Sequence, residues 1–244
     1  MSPSITLATV KRVLGQLKHD HRTVALMLVF PTVLMIILRY VFDAEQAFDR
    51  IAPALLGIFP FTVMFLVTSV ATLRERRGGT LERLMTMPMG RLDFLLGYGI
   101  AFGLIALLQV GIVTLVTVTW LGLDVTGSVW LLLLVAVLDA LLGTALGLAV
   151  SAFARTEFQA VQFLPVVVLP QVLLCGLFIA RDQMATLLEW VSNAMPLAYA
   201  VEAMNIVTTL PSANSDFWRN VVIVFGASLL ALALGAATLR RQTP

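Results

Sequence analysis

The sequence has few of the side chains on which catalysis and metal binding usually depend. Its 244 residues include one cysteine, Cys175, and two histidines, His19 and His21. A single cysteine excludes an intrachain disulfide and a cysteine-based metal site. Two histidines two positions apart exclude an H-E-x-x-H zinc helix, and they offer no partner for a serine or threonine nucleophile. We therefore expect no catalytic residue and no metal ligand in this chain.

Charge is also scarce, and the sequence contains no phosphate-binding loop. Charged residues make up 12% of the chain, against about 25% in a soluble domain. Hydrophobic residues make up 59% and the mean hydropathy is +0.96, which predicts an integral, multi-pass protein of the cell membrane. The net charge of +2 is too small to indicate a nucleic-acid partner. Because no G-x-x-x-x-G-K-[ST] motif is present, any ATP and Mg²⁺ would have to bind to another subunit.

The chain does contain apolar segments of membrane-spanning length. A hydrocarbon core of about 30 Å requires about 20 mostly apolar residues in a helix. Six segments meet this requirement, at residues 23–42, 51–73, 92–121, 129–153, 159–180 and 220–239. No linker rich in proline, glycine or serine divides them, so we expect residues 1–244 to form a single domain. The predicted fold class is an all-α membrane protein with six transmembrane helices.

The basic residues predict the orientation of these helices. With both termini on one side, that side holds twelve of the sixteen basic residues: Lys11, Arg12, Lys18, Arg22, Arg74, Arg76, Arg77, Arg83, Arg91, Arg155, Arg240 and Arg241. Basic residues in short loops mark the cytoplasmic side of a membrane protein. We therefore expect both termini, and the loop that begins at Arg74, to be cytoplasmic.

Two further segments have the pattern of helices that lie on a membrane surface. In residues 1–22, apolar side chains recur at helical spacing while the lysines and arginine lie elsewhere on the helical wheel, which predicts an interfacial helix. The apolar residues are Val10, Val13, Leu14 and Leu17. The long outer connection between Arg181 and Arg219 carries a second helical stripe. We expect it to form short helices that dip into the outer leaflet, although simple packing on the helix ends would also account for the stripe.

One acidic residue, Asp139, lies deep in an apolar segment. A charge near the bilayer midplane is unfavourable by about 2.5–3.5 kcal/mol on insertion scales, so Asp139 should face protein or water or be protonated. A functional interpretation makes Asp139 and Gln109 part of a substrate path or a proton site. A structural interpretation has Asp139 hydrogen-bonded to Gln109 or Thr114.

Prolines and glycines mark places where the spanning helices depart from regular packing. Pro165 and Pro170 interrupt the fifth segment, and either a fixed kink or a hinge on the substrate path would explain them. Gly143 and Gly147 form a G-x-x-x-G pair, which permits close helix approach. Because this pattern is common in membrane spans, it is only weak evidence for dimerisation.

The charged run from Arg74 to Pro88 contrasts with the apolar segments on both sides of it. Gly78 and Gly79 permit a turn, Thr80 can cap a helix, and Pro88 ends it. Between them, apolar side chains fall on one face and charged ones lie off it. The run predicts a short amphipathic helix that docks on a second protein, or a solvated loop that only fixes topology.

Two motifs in the sequence carry a family resemblance. The first, E-R-x-x-G-T-L-E-R-L-x-x-x-P, is formed by Glu75, Arg76, Gly79, Thr80, Leu81, Glu82, Arg83, Leu84 and Pro88. It resembles the cytoplasmic loop of type-2 ABC exporter permeases, in particular the drug- and antibiotic-exporting branch related to daunorubicin exporters. The second resembles the G-x-F and N-P-x-x-Y-x-x-E-A motifs of that family, and it comprises Gly176, Phe178, Pro196, Tyr199 and Glu202. It departs from the pattern at Met195, where asparagine commonly precedes the proline, and Asn193 is out of register.

The resemblance implies a transport subunit that is not itself an enzyme. Residues 1–22 would be the elbow helix, residues 80–87 the coupling helix, and the outer loop a re-entrant helical pair. Two copies of a separately encoded ATPase, with ATP and Mg²⁺, and a second permease subunit, as in a homodimer, would complete the exporter. The implied substrate is a small amphiphilic, drug-like or lipid-like molecule. Export of polysaccharide or cations, proton-coupled transport through Asp139, and a non-transporting scaffold are the alternatives.

Overall fold

The computed structural model describes residues 3–42, 44–78 and 91–238 of the chain. In these ranges the regular structure is helical and no strand is present, so the predicted all-α fold class is confirmed. The first half of the fold consists of five helices: α1 (Pro3–His19), α2 (His21–Val41), α3 (Glu45–Arg77), α4 (Arg91–Thr119) and α5 (Val129–Val150).

The second half of the fold consists mostly of shorter helices joined by turns. Helix α6 (Glu157–Phe163) continues through a π-helical turn (Leu164–Val168) into α7 (Leu169–Leu174). A 3₁₀ turn (Arg181–Gln183) and three further helices follow: α8 (Thr186–Asn193), α9 (Pro196–Thr209) and α10 (Ser215–Thr238). The described residues contain six helical segments long and apolar enough to cross a membrane: His21–Val41, Gln46–Arg77, Leu96–Thr119, Val129–Val150, Glu157–Leu174 and Ser215–Gly235. The prediction of six spans is confirmed.

Several predicted helix ends are wrong by a few residues. The fifth helical segment ends at Leu174 rather than at residue 180, because Gly176 adopts a φ of +94° that an α-helix cannot include. The last helix begins at Ser215 rather than at residue 220, and Asn214 caps it by accepting a hydrogen bond from the Phe217 amide at 2.9 Å. Hydropathy extended the fifth helix through the apolar residues after Leu174 and left the polar first turn of the last helix out.

Helices α3 and α5 pack backbone against backbone at the centre of the fold. A Cβ atom at Gly143 would clash with the carbonyl oxygen of Phe61, and one at Gly147 would clash with that of Phe65. The same offset along both chains means that the two helices run parallel and stay in contact over more than one turn. The G-x-x-x-G pair is therefore used within the chain, where it allows the backbones of α3 and α5 to come into contact.

Polar contacts between helix ends define two faces of the bundle. On one face, Arg74 at the end of α3 contacts Glu157 at the start of α6. On the opposite face, Arg39 near the end of α2 donates to the Leu121 carbonyl at 3.1 Å. We call the first the basic face, and it is the one predicted to be cytoplasmic. The membrane-surface position of α1 and the re-entrant path of the outer loop stay predictions.

Candidate functional site

A cavity of about 630 Å³ opens between the first helices of the bundle, at the basic face. Helices α1, α2 and α3 form its walls, with Tyr98 and Phe102 of α4 behind them and Leu164 of the π-helical turn at one edge. Its deeper part is apolar, and its polar groups gather near the helix ends. The polar lining at this mouth consists of Gln16, Asp20, Thr23, Arg74 and Glu75. The volume is that of a small-molecule site.

An ion pair joins three helices at the wall of this cavity. The Arg12 guanidinium donates from Nη1 to Glu75 Oε1 at 3.0 Å, and from Nη2 to Glu75 Oε2 at 3.3 Å and to the Tyr98 hydroxyl at 2.8 Å. The side chains of Arg12 and Glu75 are only 25% and 12% exposed. A bidentate pair with this little exposure holds its geometry more firmly than a surface pair. The Glu75 carboxylate, predicted to contact an ATPase, is therefore held by the chain's own arginine.

A second bidentate pair ties α3 to the broken helix. Arg74 donates from Nε to Glu157 Oε1 at 2.9 Å and from Nη2 to Glu157 Oε2 at 3.0 Å. Thr156 caps α6 by accepting from the Gln159 amide at 3.1 Å. The end of α3 is thus connected to α1 through Glu75 and to α6 through Arg74.

Asp20 forms the junction between α1 and α2 at the mouth of the cavity. Its Oδ1 accepts from the Thr23 amide at 3.1 Å and its Oδ2 accepts from the Thr23 hydroxyl at 2.6 Å, which caps α2. These hydrogen bonds to Thr23 hold the pKa of the Asp20 carboxyl below its usual value. The group is therefore a carboxylate at neutral pH.

Most of the predicted coupling helix lies outside the described residues. This applies to Gly79, Thr80, Leu81, Glu82, Arg83, Leu84 and Pro88. Arg76 lies just before that segment and is partly buried, and its Nε is buried without a hydrogen-bond partner among the described residues. The coupling helix thus stays a prediction, attached directly to the end of α3.

The structure contradicts the hydrogen bond considered for Asp139. Its carboxyl group is completely buried and has no hydrogen-bond partner in the described part of the chain, and the same holds for the polar atoms of Gln109 and for the Thr114 hydroxyl. Asp139 instead faces α3, where a Cβ atom at Gly57 would lie 2.9 Å from its Oδ2. Met204 of α9 packs at the same place. Asp139 therefore belongs to the packing of α3, α5 and α9 and not to an α4 contact.

The prolines of the fifth span lie at a wide helical turn. Pro165 is inside the π-helical turn and Pro170 follows it at the start of α7, with the Leu169 amide donating to the Leu164 carbonyl across the turn. Of this region, Leu164 lines the 630 Å³ cavity. The four residues proposed for the substrate path, Asp139, Gln109, Pro165 and Pro170, are not among its lining residues.

The second sequence motif assembles at the opposite face around an arginine. Arg181 donates to Glu202 Oε2 at 2.7 Å and also to the Asn193 side chain, and its guanidinium lies 4.7 Å from the centre of the Tyr199 ring. The Tyr199 hydroxyl donates to the Asn193 carbonyl at 2.8 Å. Arg219 approaches the other Glu202 oxygen at 3.7 Å. This cluster, which we call the outer network, fastens the loop to α8, α9 and α10.

The remaining motif residues shape the loop around that network. Gly176 supplies the positive φ after α7, and Pro196 is the first residue of α9. Phe178 is 68% exposed and does not belong to the outer network. Motif comparison identified Tyr199 and Glu202. It did not identify their partners Arg181 and Asn193, which contact them through an ion pair, a ring contact and a hydrogen bond. An arginine in a loop otherwise rich in acids was the available signal.

Six spanning segments, two of which form a buried central pair, with an apolar cavity at one face, define a multi-pass helical membrane protein. The chain belongs to the ABC-2 type transporter family, whose match covers residues 5–209.

Curated relatives share about a quarter of their aligned residues with this chain. It is 25% identical over 185 residues to "Probable multidrug ABC transporter permease YbhS" of Escherichia coli K12, covering 75% of this chain and 49% of that protein. It is 24% identical over 172 residues to "Inner membrane transport permease YhhJ" of the same strain, covering 69% and 46%. It is 24% identical over 176 residues to "ABC transporter G family member 23" of Dictyostelium discoideum, covering 71% and 25%. The chain thus spans about half the length of these bacterial relatives and a quarter of the Dictyostelium protein.

Proposed function

We propose that this chain is the membrane-spanning permease subunit of an ATP-driven exporter, lying in the cell membrane with its basic face in the cytoplasm. The match to the ABC-2 type transporter family over residues 5–209 is the observation that carries this proposal. A likeness to permeases that are named for multidrug transport supports it. ATP hydrolysis would take place in a separate subunit, because this sequence lacks a phosphate-binding loop.

In this proposal the segment after α3 receives the force from the ATPase. Two ATPase subunits, loaded with ATP and Mg²⁺, would contact the coupling helix at residues 80–87, and a second copy of the permease would complete the exporter. The support is positional: α3 lines the cavity along one side and ends at Arg77, directly before this segment. A push on the segment would move α3 and α5 together, since their backbones are in contact. The volume of the cavity would then change.

The substrate in this proposal is a small amphiphile. The cavity offers an apolar interior and a polar mouth, which suits a molecule with an apolar body better than a polysaccharide or a bare cation. Proton-coupled transport through Asp139 is less well supported, because that residue does not line the cavity and is completely buried.

Charge reversal in the coupling segment tests the proposed contact. The chain is copurified with the ATPase encoded beside it, and the Glu82→Arg and Arg83→Glu variants are compared with wild type. We expect both variants to lose the complex and the coupled ATP hydrolysis, because opposed charges at an interface become like charges. Asp182→Arg, at the opposite face, is the control and should retain both. Unchanged assembly and hydrolysis in the Glu82 and Arg83 variants would show that the ATPase docks elsewhere.

A further inference from the structure

The 630 Å³ cavity is polar at its mouth and mostly apolar along its length. Along α3 it extends from Glu75 at the helix end to Thr62, which is 13 residues and about 20 Å deeper. Along α2 it extends from Asp20 past Met27 to Phe30. Apart from Thr62, the polar lining side chains lie near the helix ends at the basic face, and the rest of the lining is apolar. This is the distribution of polarity in an amphiphile that lies in one leaflet.

The cavity is a recess rather than a flat helix face. Helix α1 closes it on the basic side with Val13 and Leu17, and Tyr98 and Phe102, each 1% exposed, form its back wall. The open side lies between α2 and α3, where Leu26 is 66% exposed. A small molecule fits a recess walled on several sides better than the flat flank of a second helical protein does.

The ion pairs and hydrogen bonds at the mouth of the cavity indicate which ligand head group it can bind. Arg74 forms an ion pair with Glu157, and Glu75 forms an ion pair with Arg12. The charges of Arg74 and Glu75 are therefore compensated within the chain. Asp20 accepts two hydrogen bonds from Thr23, whereas a carboxylate has about four acceptor positions. Its negative charge and its spare acceptor capacity therefore face the mouth.

The deeper polar group also accepts rather than donates. The Thr62 hydroxyl lines the cavity and donates its proton to the Ile58 carbonyl at 2.7 Å. Because its proton is already used, the Thr62 hydroxyl can only accept a hydrogen bond from a ligand. A ligand that carries N–H or O–H donors is therefore matched by Asp20 at the mouth and by Thr62 deeper in the cavity.

We infer that this cavity binds a monocationic amphiphile, with an amine head that donates to Asp20 and an apolar body that lies between α2 and α3. The elbow helix α1 then forms part of the substrate site, through Val13 and Leu17. Asp20 forms no ion pair among the described residues, so this one carboxylate at the mouth matches one positive charge on the ligand. The inference rests on the proposed export function and names the class of substrate for it.

Two dyes of the same ring system provide the test. Rhodamine 6G is a monocation with N–H donors, whereas rhodamine B has no N–H donor and carries a free carboxylate. Binding to the full chain in lipid nanodiscs is measured by fluorescence anisotropy, with no ATPase or nucleotide present. We expect rhodamine 6G to bind about tenfold more tightly than rhodamine B, as one charge-assisted hydrogen bond would give.

Two variants locate the site. Asp20→Asn retains the helix cap, because asparagine caps as well as aspartate does. It should weaken rhodamine 6G binding about tenfold and leave rhodamine B unchanged. Val67→Trp should abolish binding of both dyes by filling the cavity, whereas Leu107→Trp, on the exposed side of α4, should bind as wild type.

Several results would overturn the inference. Equal binding of the two dyes by wild type would remove the role of the amine, and unchanged selectivity in Asp20→Asn would remove the role of the carboxylate. Dye binding that survives Val67→Trp, together with loss of a dimer in light scattering, would assign the recess to a second copy of the chain. Because no ATPase is present, a failure of the export proposal leaves these measurements unaffected.

Discussion

At the scale of single residues, two carboxylates at the basic face form ion pairs with arginines of the same chain, Glu75 with Arg12 and Glu157 with Arg74. Glu75 belongs to a motif that sequence resemblance assigns to the ATPase contact, yet it is bonded to Arg12 of α1 and is largely buried. Spacing along the sequence cannot reveal this, because the two residues are 63 positions apart. The contact of this segment with an ATPase stays a prediction, and in the structure Glu75 connects α1 to α3.

The link between Arg12 and Glu75 predicts strong coupling in a double-mutant cycle. Arg12→Ala or Glu75→Ala alone should lower the free energy of unfolding by about 1–3 kcal/mol, because each leaves a poorly hydrated charge without its partner. The double variant should cost much less than the sum of the two single changes. Thermal unfolding of the purified chain in detergent is the measurement, with the exposed Arg77→Ala as control. Additive losses would mean that the pair contributes no coupling.

At the scale of helices, the backbone contact between α3 and α5 forms the centre of the bundle. Hydropathy found all six spans, and G-x-x-x-G indicated that some helix comes close. Which helix it is could not be predicted, since Phe61 and Phe65 carry no corresponding sequence signal. The π-helical turn and the early end of the fifth span were also missed, because they depend on local backbone geometry that hydropathy does not describe.

This contact predicts a sharp difference between two glycines. Gly143→Ala should destabilise the chain by about 1–3 kcal/mol, because the new methyl group meets the Phe61 carbonyl. Gly111→Ala, where no atom lies within 4 Å of a new Cβ, should be neutral or stabilising by up to about 1 kcal/mol. Thermal unfolding midpoints of the two variants measure the difference. Equal midpoints would show that α3 and α5 are not in backbone contact.

At the scale of the whole molecule, ion pairs connect the helix ends at both the basic face and the opposite face, and the α3–α5 pair lies between them. On the basic face, ion pairs connect α1, α3 and α6 around the mouth of the cavity. On the opposite face, the outer network joins the loop at Arg181 to α9 and α10. The sequence predicted the membrane class and the number of spans. It could not predict the cavity, because its walls come from four separate helices whose packing no local pattern encodes.

The proposed cycle requires that movement at the basic face be driven by ATP in a partner subunit. Rhodamine 6G uptake into inside-out proteoliposomes tests this most directly, with the chain and a partner ATPase reconstituted together. The account predicts uptake that requires ATP, stops when the ATPase is omitted, and continues when a protonophore abolishes the proton gradient. Uptake that persists without the ATPase and stops with the protonophore would contradict it and favour proton-coupled transport.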